Sequence, residues 1–233
     1  MSDQFSTGQR LGAEFLGSAI LVFVLVSSAL LGREVLDASV GLTVLFIAVA
    51  TAGWLFIIVE TFGDISGAHV NPAVTLGLLV TGDVDTSTTV RYVPTQFVGG
   101  LVGVLLANAT YASFGVPVVA ISTVSRPPST YLAEFLGTWL LVSVVISAIR
   151  RDSAFVGLAV GLVVGGGIVG TSSTMFVNPQ VSLARIFTIA ISGVRPFDAV
   201  AYIVASSLGG LAAGITWNFL WPKEQVASGE LSD

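Results

Sequence analysis

The stretch Ser66-Gly67-Ala68-His69-Val70-Asn71-Pro72-Ala73-Val74-Thr75-Leu76-Gly77-Leu78-Leu79-Val80 decides how the whole chain is read. Asn is a favoured helix cap, and Pro at the first helical position has no N–H to lose there and a φ already set for a helix. Asn71-Pro72 therefore predicts a helix that starts at Pro72 and runs to Val80. At 1.5 Å per residue it is about 13 Å long, under half of the roughly 30 Å hydrocarbon core of a bilayer. The segment is apolar enough for lipid and too short to cross it.

The same construction occurs again. Val70-Asn71-Pro72 returns as Val177-Asn178-Pro179, which predicts a second short helix from Pro179 to about Thr188. Two further landmarks keep the same order: Ala13-Glu14-Phe15-Leu16-Gly17 returns as Ala133-Glu134-Phe135-Leu136-Gly137, and Tyr92 with Gly99-Gly100-Leu101 returns as Tyr202 with Gly209-Gly210-Leu211. Three landmarks in order mark an internal repeat.

Around them, charged and turn-forming stretches separate six apolar segments of about spanning length, near 11–31, 39–59, 92–113, 130–149, 154–172 and 197–221. Each repeat, 11–113 and 130–221, thus holds three crossings, an odd number, so the second copy enters the membrane from the opposite side. The two short helices then enter from opposite faces and meet N-terminus to N-terminus at mid-depth. Non-helical backbone at that depth is tolerated where protein buries it or where it lines a water-filled cavity. Function is expected between the repeats, in a single membrane domain spanning 1–233.

Composition agrees with a lipid solvent. The chain has 54% hydrophobic and 10% charged residues with a mean hydropathy of +0.92, whereas soluble domains carry about 25% charged residues. The same composition disfavours disorder, which needs low hydrophobicity and high charge. The absence of Cys removes disulfide frameworks and thiolate sites. A net charge of −5 without a basic run argues against nucleic acid as a partner. The first segment has some features of a secretory signal, but it contains Glu14 and has a second copy. An even number of crossings puts both termini on one side. Arg10, Arg91, Arg150, Arg151 and Lys223 on that side, against Arg33, Arg126, Arg185 and Arg195 on the other, lean slightly toward cytoplasmic termini; the expected location is the cell membrane.

The motif Ser66 to Thr75 resembles the first signature of the aquaporin and aquaglyceroporin (major intrinsic protein) family, and the repeat, Glu14, Glu134 and the Gln96 to Gly103 span are similar to it as well. The resemblance implies an all-α membrane protein with six transmembrane helices and two re-entrant half-helices. It also implies an inverted-repeat aquaporin-like fold, a pore within each subunit and a homotetramer. Asn71, Pro72, Ala73, Asn178, Pro179 and Gln180 would form the pore midplane. The second motif departs from the family pattern Asn-Pro-Ala-Arg: it reads Asn178-Pro179-Gln180-Val181, so Val181 replaces the filter Arg. The resemblance implies an outer selectivity filter at four positions, which by their spacing from the two Asn residues fall on Thr51, Gly166, Met175 and Val181. Such a filter is small and apolar, and it is expected to pass larger uncharged solutes.

Several polar groups at depth need an account. Arg185 lies four residues beyond Val181, on the same helical face, and is a candidate for the outer mouth as well as for pairing with a carboxylate. Met175 is either a soft gate or packing. Glu14 and Glu134, costly when ionised in a membrane, are expected to brace the backbone ahead of each half-helix, and His69 to pack around the first one. The expected function is a passive channel for water and small uncharged solutes, glycerol-like polyols and metalloid hydroxides such as arsenite, that excludes protons and ions. Its expected partners are the solute, water, the lipid bilayer and its own copies. A secondary transporter and a closed-pore membrane scaffold are the alternatives. No nucleophile-base pair, metal cluster or phosphate loop suggests an enzyme or a cofactor.

Overall fold

The computed structural model describes residues 4–223, so the ends of the expected 1–233 domain lie outside the described residues. All regular structure among the described residues is helical. The helices are α1 (Thr7–Leu30), α2 (Val40–Ser66), α3 (Pro72–Val80), α4 (Thr86–Thr110), α5 (Ser129–Arg150), α6 (Val156–Gly170), α7 (Pro179–Ala184) and α8 (Pro196–Leu220). A π-helical turn, Leu31–Val35, extends α1, and a 3-10 turn, Arg185–Phe187, extends α7.

Helix starts follow their caps. Ser6 and Gln9 form a reciprocal capping box on α1, Ser39 accepts from the Leu42 N–H, and Asp85 accepts from the Thr88 N–H at 2.8 Å. Asn71 and Asn178, both extended, cap α3 and α7 with Pro at the first helical position. Among the described residues, five helices are long and apolar enough to cross a membrane. The crossing expected over 154–172 is the shorter helix α6, 15 residues or about 22 Å.

The repeats interlock. α1 packs on α4 as α5 packs on α8, and α2 lies against α6. Each half-helix rests on a long helix of the other repeat, α3 on α8 and α7 on α4. The repeated motifs form these contacts. A methyl group at Gly99 would lie 2.5 Å from the Phe15 carbonyl oxygen, and one at Gly209 would strike the Phe135 carbonyl. Glycine lets these backbones touch. Next to them, Gly210 meets Ala73 of α3, and Gly100 meets Gln180 of α7. The glycines of the two repeated pairs therefore serve helix crossings.

Candidate functional site

The backbone ahead of each half-helix is strained. Ala68, Val70, Thr174, Met175 and Val177 all have positive φ, with Val70 at +39° and Val177 at +43°. For a β-branched residue this region costs on the order of 1–3 kcal/mol and persists only where the surroundings impose it. Two buried carboxylates do so. Glu14 accepts from the N–H groups of His69 at 2.9 Å and Val70 at 2.8 Å, from the Ser66 hydroxyl at 2.7 Å and from Gln96 Nε2 at 2.7 Å. Glu134 accepts from the N–H groups of Phe176 at 2.9 Å and Val177 at 2.6 Å, and from the Ser173 hydroxyl.

The ring ahead of each Asn is held in the same way in both halves. His69 meets Tyr92 edge-on at 5.3 Å and contacts Thr75 Oγ1 through Nδ1 at 3.1 Å; Phe176 meets Tyr202 edge-on at 4.9 Å. His69 and Phe176 thus hold equivalent packing positions.

The two Asn side chains tie the halves together. Asn71 Nδ2 donates to the Val177 carbonyl at 2.9 Å, and Asn178 Nδ2 donates to the Val70 carbonyl at 3.0 Å. Their Oδ1 atoms accept from Ala73 and Gln180 N–H groups, completing each cap. A primary amide has two N–H donors, so each Asn keeps one beyond this cross-link. Both Asn residues line a cavity of about 610 Å³.

That cavity runs between the repeats. Glu60, Asp64, Asp83 and Asp152 stand at one end, and Thr51, Val164, Met175 and Val181 at the other. Thr51 and Asp64 are about 20 Å apart along α2 at 1.5 Å per residue. The acidic end is the side of Lys223, which pairs with Asp83 at 2.9 Å.

Of the residues expected at the midplane, Asn71 and Asn178 line the cavity; Pro72, Ala73, Pro179 and Gln180 are buried in the half-helix packing instead. Gln180 Nε2 reaches the Val70 carbonyl at 3.3 Å. At the expected filter, Thr51, Met175 and Val181 line the cavity.

Gly166 does not. It lies on the exposed side of α6 with Leu158, Leu162 and Val169, and Val164 forms the wall. The glycine that meets a filter residue is Gly167, which lies against Met175. The Met175 sulfur fills the space over Gly167 and Gly137, where a methyl at Gly137 would lie 2.9 Å from it. Met175 is therefore wedged in packing as well as lining the wall.

Arg185 is also displaced from its expected place at the outer mouth. It is buried, its Nε donates to the Ser192 carbonyl, and its guanidinium lies over the Phe176 ring. Arg126 approaches the same ring at 5.3 Å and donates to the carbonyls of Ile191 and Gly193. The two arginines fasten the loop that follows α7. Phe176 and Arg126 were not singled out in the sequence. Ser66 stands at the head of the quoted motif but carries no assigned role there, and Ser173 is not singled out, although each lies five residues before its Asn.

The family model "Major intrinsic protein" matches residues 1–172. The chain belongs to the major intrinsic protein family. The match stops ahead of the second half-helix, where the motif departs. Among relatives of this major intrinsic protein, aquaglyceroporin AqpS of Rhizobium meliloti is 34% identical over 90% of this chain and 89% of its own. Aquaporin TIP4-4 of Zea mays is 34% identical over 90% and 85%. An aquaglyceroporin structure from Plasmodium falciparum has the same fold, with a TM-score of 0.72 at 18% identity, over 96% of this chain and all of that one. This major intrinsic protein is a multi-pass membrane channel for water and glycerol-like solutes, not an enzyme.

Proposed function

We propose that this channel passes uncharged solutes wider than water, polyols and metalloid hydroxides such as arsenite among them, while excluding protons and ions. The observation that carries the reading is the end of the cavity formed by Thr51, Val164, Met175 and Val181, a wall with one hydroxyl and no charge. A fixed arginine there would narrow the path and set an electrostatic barrier; valine does neither. Passing oxygens find their donors deeper, at the free N–H of Asn71 and of Asn178. The positive end of the α3 dipole beside Asn71 opposes cations at that level. The working unit is a homotetramer in the cell membrane with cytoplasmic termini, each subunit carrying its own pore.

Stopped-flow light scattering on proteoliposomes tests this with water, glycerol and arsenite against empty vesicles. Linear, non-saturating flux of all three, with no dissipation of an imposed proton gradient, is the expected result. Water flux without glycerol flux overturns the wide-pore reading, and saturable uptake coupled to an ion gradient marks a transporter.

A further inference from the structure

The two half-helices differ at their second residue, which is Ala73 in α3 and Gln180 in α7. Each faces a glycine of the long helix behind it, Ala73 meeting Gly210 of α8 and Gln180 meeting Gly100 of α4. The fit is not the same. A methyl group at Gly210 would strike the Ala73 carbonyl oxygen, whereas one at Gly100 would stand 3.3 Å from the Gln180 carbonyl oxygen and would strike the Gln180 side chain instead. At this contact the backbone of α7 therefore lies farther from its long helix than that of α3 does, and the Gln180 side chain occupies the difference. That side chain is fully buried. Its Nε2 reaches the Val70 carbonyl at 3.3 Å, beside Asn178 Nδ2 at 3.0 Å on the same oxygen, which keeps it in the crossing. Its Oε1 is buried with no partner among the described residues, a penalty that alanine would not carry. Stability alone does not call for glutamine there.

The cavity lies on the other side of α7. Its wall includes residues from α1, α2, α5, α6 and both half-helices, and among the described residues none from α4 or α8. Bulk placed between α7 and α4 thus stands behind the wall, and in a close-packed interior it displaces what lies in front. In front are Asn178 and Val181, both lining the cavity. We propose that Gln180 is a positioning residue for selectivity, a spacer behind the pore wall that holds Asn178 and Val181 inward and narrows a path that Val181 alone leaves wide. Pore diameter then depends on a side chain that no solute touches. The proposal rests on the passage of water and glycerol-like solutes, not on which wider solutes follow them. Gln180→Ala gives α7 the residue that α3 already has against its glycine, so α7 can settle onto α4 and draw Asn178 and Val181 back. Gln180→Met keeps the length of the side chain and removes its amide.

Stopped-flow measurement of water and glycerol permeability on proteoliposomes of the full-length protein tests the proposal, with thermal unfolding to count folded channel. The glycerol-to-water ratio is expected to rise about threefold in Gln180→Ala and to stay near that of the unaltered channel in Gln180→Met. If Gln180→Ala does not fold, Gln180→Ser, also short, takes its place. A ratio that is unchanged or lowered in the short variant overturns the proposal, and lowered stability with an unmoved ratio makes Gln180 a packing residue only. A rise in Gln180→Met equal to that in the short variant overturns it too, because the effect then belongs to the hydrogen bond on Val70 and not to bulk. An unaltered channel that passes water without glycerol would defeat the wide-pore reading, while a rise in Gln180→Ala would still uphold the spacer.

Discussion

The guanidinium carbon of Arg185 lies 3.3 Å from the centroid of the Phe176 ring. That stack turns a charge expected near the pore into a clasp behind it. Phe176 is itself fixed by its N–H on Glu134 and by Tyr202, so Arg185 links the loop after α7 to the strained backbone ahead of Asn178. Replacing Arg185 with Ala should lower stability by about 2–4 kcal/mol, from a desolvated cation-π contact and a lost charge-assisted hydrogen bond. Selectivity among solutes should stay unchanged. Thermal unfolding of the purified protein, with solute fluxes normalised to folded channel, checks both halves. A normal melting curve with raised cation leak would return Arg185 to the mouth.

The two buried carboxylates predict an ordered pair of variants. Glu14 and Glu134 share one pattern: a serine five residues before the Asn, then the two N–H groups immediately ahead of it. Glu14 has an additional donor, Gln96 Nε2. A glutamine in either place presents an N–H₂ where only donors point. Each lost charge-assisted bond costs about 1.5–3 kcal/mol, and the positive φ of Val70 or Val177 is no longer imposed. Both variants should lose channel activity, with Glu14→Gln the less stable of the two. Equal melting temperatures would contradict the assigned weight of Gln96.

Why the framework was legible and the filter only partly so follows from these same residues. Asn-Pro caps are local signals, and their repetition marked both half-helices; the odd number of crossings in each repeat implied the inverted order, and the repeated Ala-Glu-Phe-Leu-Gly stretch marked the two carboxylates. Gly166 was placed by counting back from Asn178, which presumes a fixed path between them. The path instead bends through positive φ at Thr174, Met175 and Val177, and the glycine that meets Met175 is Gly167. Arg185 was placed on the face of Val181 by helical periodicity. The α-helix ends at Ala184, a 3-10 turn begins at Arg185, and the side chain goes to an aromatic ring with no mark of function in the sequence. Local caps can be read from spacing; side-chain destinations across irregular backbone cannot.

Close crossings give a prediction about packing alone. Gly99→Ala and Gly209→Ala each drive a methyl into a backbone carbonyl, that of Phe15 or Phe135, which has no rotamer to yield. Overpacking of this kind costs about 1–3 kcal/mol or more. Gly53→Ala, where a methyl meets nothing within 4 Å, is the matched control. Size-exclusion profiles after solubilisation should show depleted, aggregated material for the first two and a normal peak for the third. Monodisperse Gly99→Ala would show that α1 and α4 can separate without cost.

Restoring an arginine at Val181 tests the assigned limiting point of the pore. Val181 lines the cavity at the end that holds Thr51, whose Oγ1 is buried without a partner among the described residues. A guanidinium introduced there gains that hydroxyl as an acceptor and stands across the path. Bulk and a fixed donor array penalise a polyol more than water, because the wider solute cannot pass without displacing the side chain. Glycerol permeability should fall by about tenfold in Val181→Arg while water permeability falls by no more than about threefold. Val181→Leu, which adds volume without charge, should fall between the unaltered channel and the arginine variant for glycerol. Stopped-flow measurements on the three channels at matched reconstitution give the comparison. If glycerol flux is the same in all three, the narrowest point lies elsewhere, and Val181 is only part of the wall.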